Sequence, residues 1–124
     1  MMIPEKLLEV LKKDGVGSIV TMGANEPHVV NTWNSYVRIS DDGRMLIPAG
    51  YMHRTEDNLK INKNVLLTFG SSKVAGKNGP GTGFLIKGTA DFITSGPDFD
   101  AMKKRFAWAR ATLAVTILSA TQTL

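Results

Sequence analysis

The sequence predicts a mainly β domain of about six strands and three short helices. Most apolar residues recur with a period of two, as they do in strands that bury one face. Segments with helical spacing are too few for repeated strand–helix–strand units, whereas six strands are enough to close an antiparallel barrel. The 124 residues, of which 43% are hydrophobic, suit one core. We therefore expect residues 1–124 to form a single domain without an internal boundary.

The first half of the chain reads as a helix followed by a three-stranded meander. Apolar residues from Ile3 to Leu11 recur at helical spacing, and Asp14-Gly15 provides a stop, so we predict a helix over residues 4–13. Strands then follow on either side of Pro27, and an Asp-Gly pair at positions 42 and 43 signals a hairpin. The predicted strands cover residues 17–23, 28–39 and 45–49.

The second half contains two further helices and three strands. Thr55 is a suitable N-cap within a helical segment over residues 53–64, and Pro97 suits the start of a helix over residues 95–106. The remaining segments are predicted as a strand, a glycine- and lysine-rich loop and two more strands, which cover residues 65–70, 71–81, 82–93 and 112–120.

The composition excludes several kinds of chemistry. The chain has no cysteine, which excludes disulfides, iron–sulfur clusters, zinc–thiolate sites and thiol nucleophiles. His28 and His53 lie far apart, so we expect no metal site. The net charge of +4 is scattered, which is not typical of a nucleic-acid-binding tail. Residues 1–15 lack the uncharged apolar core of a signal peptide or membrane span, so we expect a cytoplasmic protein.

Residues 30–36, with the sequence VNTWNSY, break the alternation expected of a strand. If these residues formed one ideal strand, each face would carry polar groups and one aromatic ring. Asn31, Trp33 and Ser35 would lie on one face, and Thr32, Asn34 and Tyr36 on the other. A flat polar ligand would suit such a surface. Trp108, in the segment FAWARA, lies where no apolar periodicity requires it and is a second candidate for contact with a flat ring. Ordinary packing is the alternative for both tryptophans.

Another candidate site lies at the start of the helix predicted after Gly50. Arg54 and Thr55 place a cation and a hydroxyl where free backbone N–H groups already favour an anion. The spacing alone leaves two interpretations open: a phosphate site, or a threonine that caps the helix beside a solvated arginine. His53 could polarise a substrate or serve the fold.

The glycine-rich stretch GKNGPGTG, residues 76–83, matches neither a Walker loop nor a dinucleotide fingerprint, because no helix follows it. Its bare backbone and the charges of Lys73 and Lys77 fit a ligand-contacting loop, and they fit a flexible hairpin loop equally well. We find no Ser-His-Asp grouping and no isolated pair of carboxylates in the sequence, so we name no catalytic residue.

Several segments taken together resemble a known family. They are VNTWNSY, GYMHRTEDN from Gly50, KVAGKNGPGTGF, FAWARA and the C-terminal TQTL. In order and spacing they are similar to the small FMN-binding proteins of sulfate-reducing bacteria, which belong to the FMN-binding split-barrel superfamily together with the pyridoxamine 5′-phosphate oxidases. The resemblance covers nearly the whole chain. It implies a six-stranded antiparallel split β-barrel that forms a homodimer, with FMN bound near the subunit interface.

The resemblance also implies which residues bind FMN. Around the flavin ring it places Asn31, Thr32, Trp33, Asn34, Ser35, Tyr36, Trp108 and Leu124, with Leu124 supplied by the partner subunit. Around the ribityl phosphate it places Gly50, Tyr51, Met52, His53, Arg54 and Thr55, and along the cofactor Lys77, Gly79, Pro80, Gly81 and Thr82. The chain departs from the family at two positions, since Arg54 stands where a lysine is expected and Asp14 where a glutamate is expected. Asp14 is therefore a candidate for tuning the flavin.

From this resemblance we expect an FMN-binding flavoprotein that transfers electrons, without a metal, a nucleic acid or a membrane as partner. The main alternative is an oxidoreductase of the pyridoxamine-oxidase type that acts on a specific small substrate. It needs a second anion pocket, for which the sequence offers Lys73, Lys77 and His53. An alternative of another class is a β-barrel that binds single-stranded nucleic acid through Trp33, Tyr36 and scattered lysines. The electron donor, whether a redox protein or a nicotinamide nucleotide, stays open, and a module that stores FMN without turnover would have the same sequence.

Overall fold

The protein folds into one antiparallel sheet with accompanying helices. The computed structural model describes residues 3–124. Within them the helices are α1 (Glu5–Leu11), α2 (His53–Ile61) and α3 (Pro97–Arg105). The strands are β1 (Val16–Thr21), β2 (His28–Trp33), β3 (Arg38–Ile39), β4 (Met45–Ala49), β5 (Asn64–Gly76), β6 (Gly79–Ile93) and β7 (Ala111–Gln122). A short 3-10 helix, Asn34–Tyr36, separates β2 from β3.

The sheet must curl because its two edge strands are neighbours in sequence. The strand order is β2-β1-β5-β6-β7-β4-β3, so β2 and β3 lie at opposite edges of the seven-stranded sheet. Strands spaced at about 4.8 Å would put the edges of a flat sheet of this size roughly 29 Å apart. The link from Trp33 to Arg38 reaches at most about 18 Å, so the sheet bends until its edges approach. The predicted mainly β, antiparallel class is confirmed, with seven strands in residues 3–124 rather than six.

The additional strand arises from a break inside the predicted strand over residues 28–39, which is wrong as a single element. The chain turns at Asn34, whose backbone N–H donates to the carbonyl oxygen of Gly15 at 3.0 Å. As a result β2 pairs with β1, whereas β3 pairs with β4. The predicted three-stranded meander is also wrong, because the two halves of this segment belong to opposite edges of the sheet.

The loop predicted over residues 71–81 is wrong as well. β5 and β6 run through most of it and leave Lys77 and Asn78 as the turn between them. Gly79 and Gly81 have φ values of 132° and 100°, a region that residues with side chains rarely enter. Glycine therefore permits a tight hairpin within the stretch that was predicted as a ligand-contacting or flexible hairpin loop.

The three predicted helices form in residues 3–124, each shorter than predicted. The helix predicted over residues 53–64 ends at Ile61 because Asn62 adopts an extended conformation with φ −145°. None of the helices in this described range is long and apolar enough to cross a membrane.

The core lies on the concave side of the sheet. The inward-facing strand residues are fully or almost fully buried and include Ile19, Ile47, Leu67, Phe69, Ile86, Leu113 and Val115. Leu7 and Val10 of α1 pack onto the same cluster. On the other side of the sheet, Met102 of α3 packs against Leu46 and Ala114. This second contact fixes the position of α3 and of the aromatic segment that follows it.

Candidate functional site

A cavity of about 600 Å³ opens where β2, the end of β4 and the turn before α2 meet. This volume lies within the range typical of small-molecule sites. Its lining contains eight residues that the sequence predicted as cofactor contacts: Asn31, Thr32, Trp33, Tyr36, Gly50, Tyr51, Met52 and Trp108. Segments far apart in the sequence are thus brought together around one space. Val30 and Pro48 complete the lining and were missed, because apolar strand residues look like core.

One wall of the cavity is aromatic. The ring centroids of Tyr36 and Trp108 lie 5.8 Å apart, and Phe106 packs on both of them at 4.7 and 5.2 Å. Trp33 and Trp108 nevertheless remain 53% and 50% exposed. A Cβ on Gly50 would lie 2.9 Å from Cε3 of Trp108, so only glycine lets the indole lie against the backbone there. Large rings left half exposed around a cavity suit a flat ring as ligand.

Strand β2 does sort its side chains, although the sequence suggested that it would not. Thr32 points inward and is buried, whereas Asn31 and Trp33 point outward. The side-chain Nδ2 of Asn31 donates to the carbonyl oxygen of Gly17 at 3.2 Å. The alternation fails after Trp33 because the strand ends there.

Asn34 and Ser35 lie outside the lining of this cavity. Asn34 is fully buried, and its Nδ2 donates at 3.0–3.2 Å to three carbonyl oxygens, those of Val10, Lys13 and Gly70. Ser35 presents its carbonyl oxygen to the guanidinium groups of Arg38 and Arg105 at 3.1 and 3.2 Å. Both residues therefore serve the turn between β2 and β3.

The start of α2 borders the cavity and is open to an anion. The first turn of a helix leaves backbone N–H groups without intrahelical partners, and no side chain in residues 3–124 caps this one. Thr55 is 1% exposed, and its Oγ1 has no hydrogen-bond partner within the described chain. Arg54 and His53 are exposed beside it. The predicted cation, hydroxyl and helix start are therefore present together.

Arg110 is the main residue near the site that sequence reasoning missed. Its Nε and Nη2 donate to the carbonyl oxygen of Tyr51 at 3.0 and 2.6 Å. Nη2 lies 3.1 Å from His53 Nδ1, and Nη1 lies 3.1 Å from Glu56 Oε1. No spacing rule connects Arg110 with Tyr51 and His53, which lie 59 and 57 positions away. In the segment FAWARA only the tryptophan was predicted as a contact.

The remaining predicted residues lie around a second cavity of about 430 Å³. It is lined by Ser71, Ser72, Asn78, Gly79, Pro80, Gly81, Thr82 and Leu124. The carbonyl oxygen of Leu124 accepts hydrogen bonds from Thr82 Oγ1 at 2.8 Å and from Gln122 Nε2 at 2.9 Å, while Leu124 stays 61% exposed. Lys77 lies exposed in the neighbouring turn. The two cavities share no lining residue in the described chain, so a single chain holds these predicted contacts in two separate groups.

Two arginines lie behind the aromatic wall. Arg105 donates to the carbonyl oxygen of Tyr36 at 3.2 Å and stacks on Phe106, with 4.6 Å between its guanidinium carbon and the ring centroid. Burial lowers the pKa of Arg105, and the nearby charge of Arg38 adds to this effect.

Asp14 lies exposed between α1 and β1, outside both cavity linings, and its influence on a flavin stays a prediction.

Similarity to known proteins extends over nearly the whole chain. A family model for pyridoxamine 5′-phosphate oxidase matches residues 3–122. The chain is 55% identical over 123 residues to the FMN-binding protein of Nitratidesulfovibrio vulgaris, strain Miyazaki F, a match that covers 99% of this chain and 100% of that one. HupZ from Group A Streptococcus superimposes with a TM-score of 0.78 at 17% identity, over 98% of this chain and 94% of that one. An FMN-binding protein from Syntrophomonas wolfei does so with a TM-score of 0.76 at 16% identity, over 97% and 85%.

Proposed function

The chain belongs to the pyridoxamine 5′-phosphate oxidase family, and we propose that it is an FMN-binding flavoprotein that transfers electrons. The main support is the cavity of about 600 Å³, whose lining combines exposed aromatic rings with Met52, the residue directly before the uncapped start of α2. FMN combines a flat ring with a phosphate and needs both kinds of surface in one site. The 55% identity to an FMN-binding protein along the full length of both chains supports the same cofactor.

The first turn of α2 fits the phosphate of FMN. A buried hydroxyl normally has a hydrogen-bond partner, yet Thr55 Oγ1 has none within residues 3–124. A phosphate oxygen would provide that partner, and the phosphate would also accept hydrogen bonds from backbone N–H groups of the same turn. Arg54 adds a planar cation that can pair with two phosphate oxygens. These groups would anchor the phosphate end of the cofactor.

The walls of the cavity fit the flavin ring. Asn31, Thr32 and Trp33 would contact its edge, and Tyr36 and Trp108 would exclude water from it. Bound FMN supplies electron transfer in steps of one or two electrons, while the protein determines its orientation, its surroundings and its access to solvent.

The lining of the cavity favours electron transfer over chemistry on a bound substrate. Apart from the phenols of Tyr36 and Tyr51, none of the described residues that line it has a titratable side chain. An enzyme that oxidises a small substrate commonly needs a positioned group that takes up a proton. An electron carrier or a slow flavin reductase has no such requirement.

We further propose that the protein is a homodimer formed through the convex side of β2, β1 and β5. Cross-strand partners face the same way, and Val29, Val20 and Leu66 are aligned across these three strands. Val29 and Leu66 are 57% and 39% exposed, and they continue towards Trp33 at the cavity. Burying these side chains against a second copy would be favourable. It would also let residues around the second cavity of one subunit, among them Leu124, cover the flavin of the other.

The colour of the purified protein tests the central proposal. It should be yellow, contain one FMN per chain, and show flavin fluorescence that rises when denaturation separates the cofactor from Trp33 and Trp108. Arg54→Ala should weaken FMN retention without unfolding the chain. A colourless protein that takes up no added FMN would contradict the proposal, and salt-sensitive binding of single-stranded oligonucleotides would then favour the nucleic-acid alternative.

A cytoplasmic location also belongs to the proposal, and cell fractionation would test it.

A second candidate function is an FMN-dependent oxidoreductase that acts on a small anionic substrate. The observation that favours it is the pair Arg38 and Arg105 behind Tyr36, since neither guanidinium lies within 4.0 Å of a carboxylate oxygen in the described chain. Anaerobic titration of the yellow protein with NADH and NADPH distinguishes the two functions. Fast reduction that Arg105→Gln abolishes would favour the oxidoreductase, whereas reduction by protein donors alone would favour the carrier.

A further inference from the structure

Arg110 contacts several parts of the turn that leads into α2. Two of its nitrogens donate to the carbonyl oxygen of Tyr51, and the same guanidinium reaches His53 Nδ1 and the carboxylate of Glu56 at 3.1 Å each. One side chain thereby holds the turn at Tyr51, before Met52, and at His53 and Glu56, after it. Because a guanidinium has no acceptor, His53 Nδ1 must accept, which leaves the proton of the neutral ring on Nε2.

Arg110 is itself held in place from both ends. Its backbone N–H donates to the carbonyl oxygen of Ala49, at the end of β4, at 2.9 Å. Its guanidinium carbon lies 5.1 Å from the ring centroid of Phe92 on β6. The orientation of the planar group is therefore determined by the sheet, so it can impose that orientation on the turn.

The turn needs such support because of Met52. This residue has φ 53° and ψ 37°, and it is the only non-glycine residue in the described chain with a positive φ. A side chain disfavours this left-handed conformation, which persists only where surrounding contacts fix it. The carbonyl oxygen of Met52 accepts the N–H of Glu56 at 2.9 Å, so the left-handed residue also begins the hydrogen bonding of α2.

We propose that Arg110 is a positioning residue that keeps the start of α2 preformed for phosphate and thereby makes the site prefer FMN over riboflavin. This inference rests on the proposed FMN function. Holding Tyr51 and His53 keeps Met52 left-handed and directs the N–H groups of the first turn towards the anion. The ion pair also neutralises Glu56, whose negative charge would otherwise oppose the phosphate.

The test compares the dissociation constants of FMN and riboflavin for the apoprotein, measured by quenching of flavin fluorescence. Arg110→Lys keeps the charge but cannot hold the Tyr51 carbonyl and His53 together. We expect it to weaken FMN binding about tenfold and riboflavin binding less than about twofold. Glu56→Gln should retain or raise the preference for FMN. Arg44→Lys, an equally conservative change outside both cavities, is the matched control and should leave both constants unchanged.

A rescue experiment separates positioning from charge. Glycine adopts positive φ freely, so Met52→Gly should restore the preference for FMN in the Arg110→Lys background. Met52→Ala removes the same side-chain contacts without relieving the backbone and should not restore it.

Each outcome decides the inference. Unchanged FMN preference in Arg110→Lys overturns it, and so does an equal loss of both flavins, which would mean that Arg110 merely supports the fold. Equal rescue by glycine and alanine also overturns it. A wild-type chain that binds neither flavin overturns the proposed function and this inference with it, whereas a wild type that binds both equally overturns the inference alone.

Discussion

At the scale of single residues, Asn34 shows that a side chain predicted to contact a cofactor can also hold the fold together. Its amide nitrogen donates to three carbonyl oxygens, those of Val10 in α1, Lys13 just after α1 and Gly70 in β5. Those partners lie 21 to 36 positions away in the sequence, so no local pattern could have identified them. A polar run in a strand predicts hydrogen bonding, but it does not distinguish a ligand from the backbone of the same chain.

Asn34→Ala should destabilise the protein by about 3 kcal/mol, because it removes the side-chain N–H groups that donate to the carbonyl oxygens of Val10, Lys13 and Gly70. Urea unfolding of the apoprotein measures this loss. Ser35→Ala, in the exposed neighbour, is the control and should change stability little. Normal stability of Asn34→Ala combined with weakened FMN binding would instead support the role that the family resemblance implies.

At the scale of elements, the sequence predicted most of the fold because periodicity and glycine or proline signals are local. The positions of α1, α2, α3, β4 and β7 follow from such signals. The wrong predictions of the strand over residues 28–39, of the meander and of the loop over residues 71–81 have one cause: local patterns do not show which strands pair. The split of residues 28–39 depends on pairing with β1 and β4, and the extension of β5 and β6 through residues 71–81 depends on their pairing with each other. The prediction of the candidate site was incomplete for the same reason, because only the folded chain brings Arg110 close to Tyr51 and His53.

The turn between β3 and β4 carries a testable pH dependence. Hydrogen bonds from the Ser40 hydroxyl and the Arg44 guanidinium hold the pKa of Asp42 below its ordinary value of 3.8. A carboxylate with a lowered folded-state pKa stabilises the fold above its unfolded pKa, and this contribution is lost as the pH falls through the folded value. Arg44 also pairs with Asp98 of α3 at 2.7 Å, so the same turn ties the hairpin to that helix.

Asp42→Asn should therefore lower the melting temperature near neutral pH, and the difference from wild type should shrink as the pH falls below 3.8. Thermal unfolding followed by circular dichroism over this range measures it. Asp41→Asn removes the same charge from the adjacent exposed position and is the control. A difference that persists unchanged in acid would show that Asp42 acts through something other than its charge.

At the scale of the whole molecule, the fold places most of the predicted cofactor contacts around two separate cavities. β2 and the start of α2 supply one group, while the β5–β6 hairpin and the C-terminal Leu124 supply the other. A sheet that curls to bring β2 near β3 still leaves β2, β1 and β5 with exposed apolar side chains on the convex side. A dimer through this surface would account for both the divided site and the exposed side chains.

Val29→Glu should convert the proposed dimer into a folded monomer, because it places a charge within the proposed interface. Light scattering after size exclusion measures the mass, and far-UV circular dichroism confirms the fold. The monomer should also bind FMN more weakly, since Leu124 and the hairpin of the partner no longer cover the ring. Ile61→Glu is the matched control: Ile61 is 64% exposed but lies at the end of α2, and this variant should remain dimeric with normal affinity. Loss of the dimer with unchanged FMN affinity would mean that one chain forms the whole site, and a dimer that survives Val29→Glu would place the interface elsewhere.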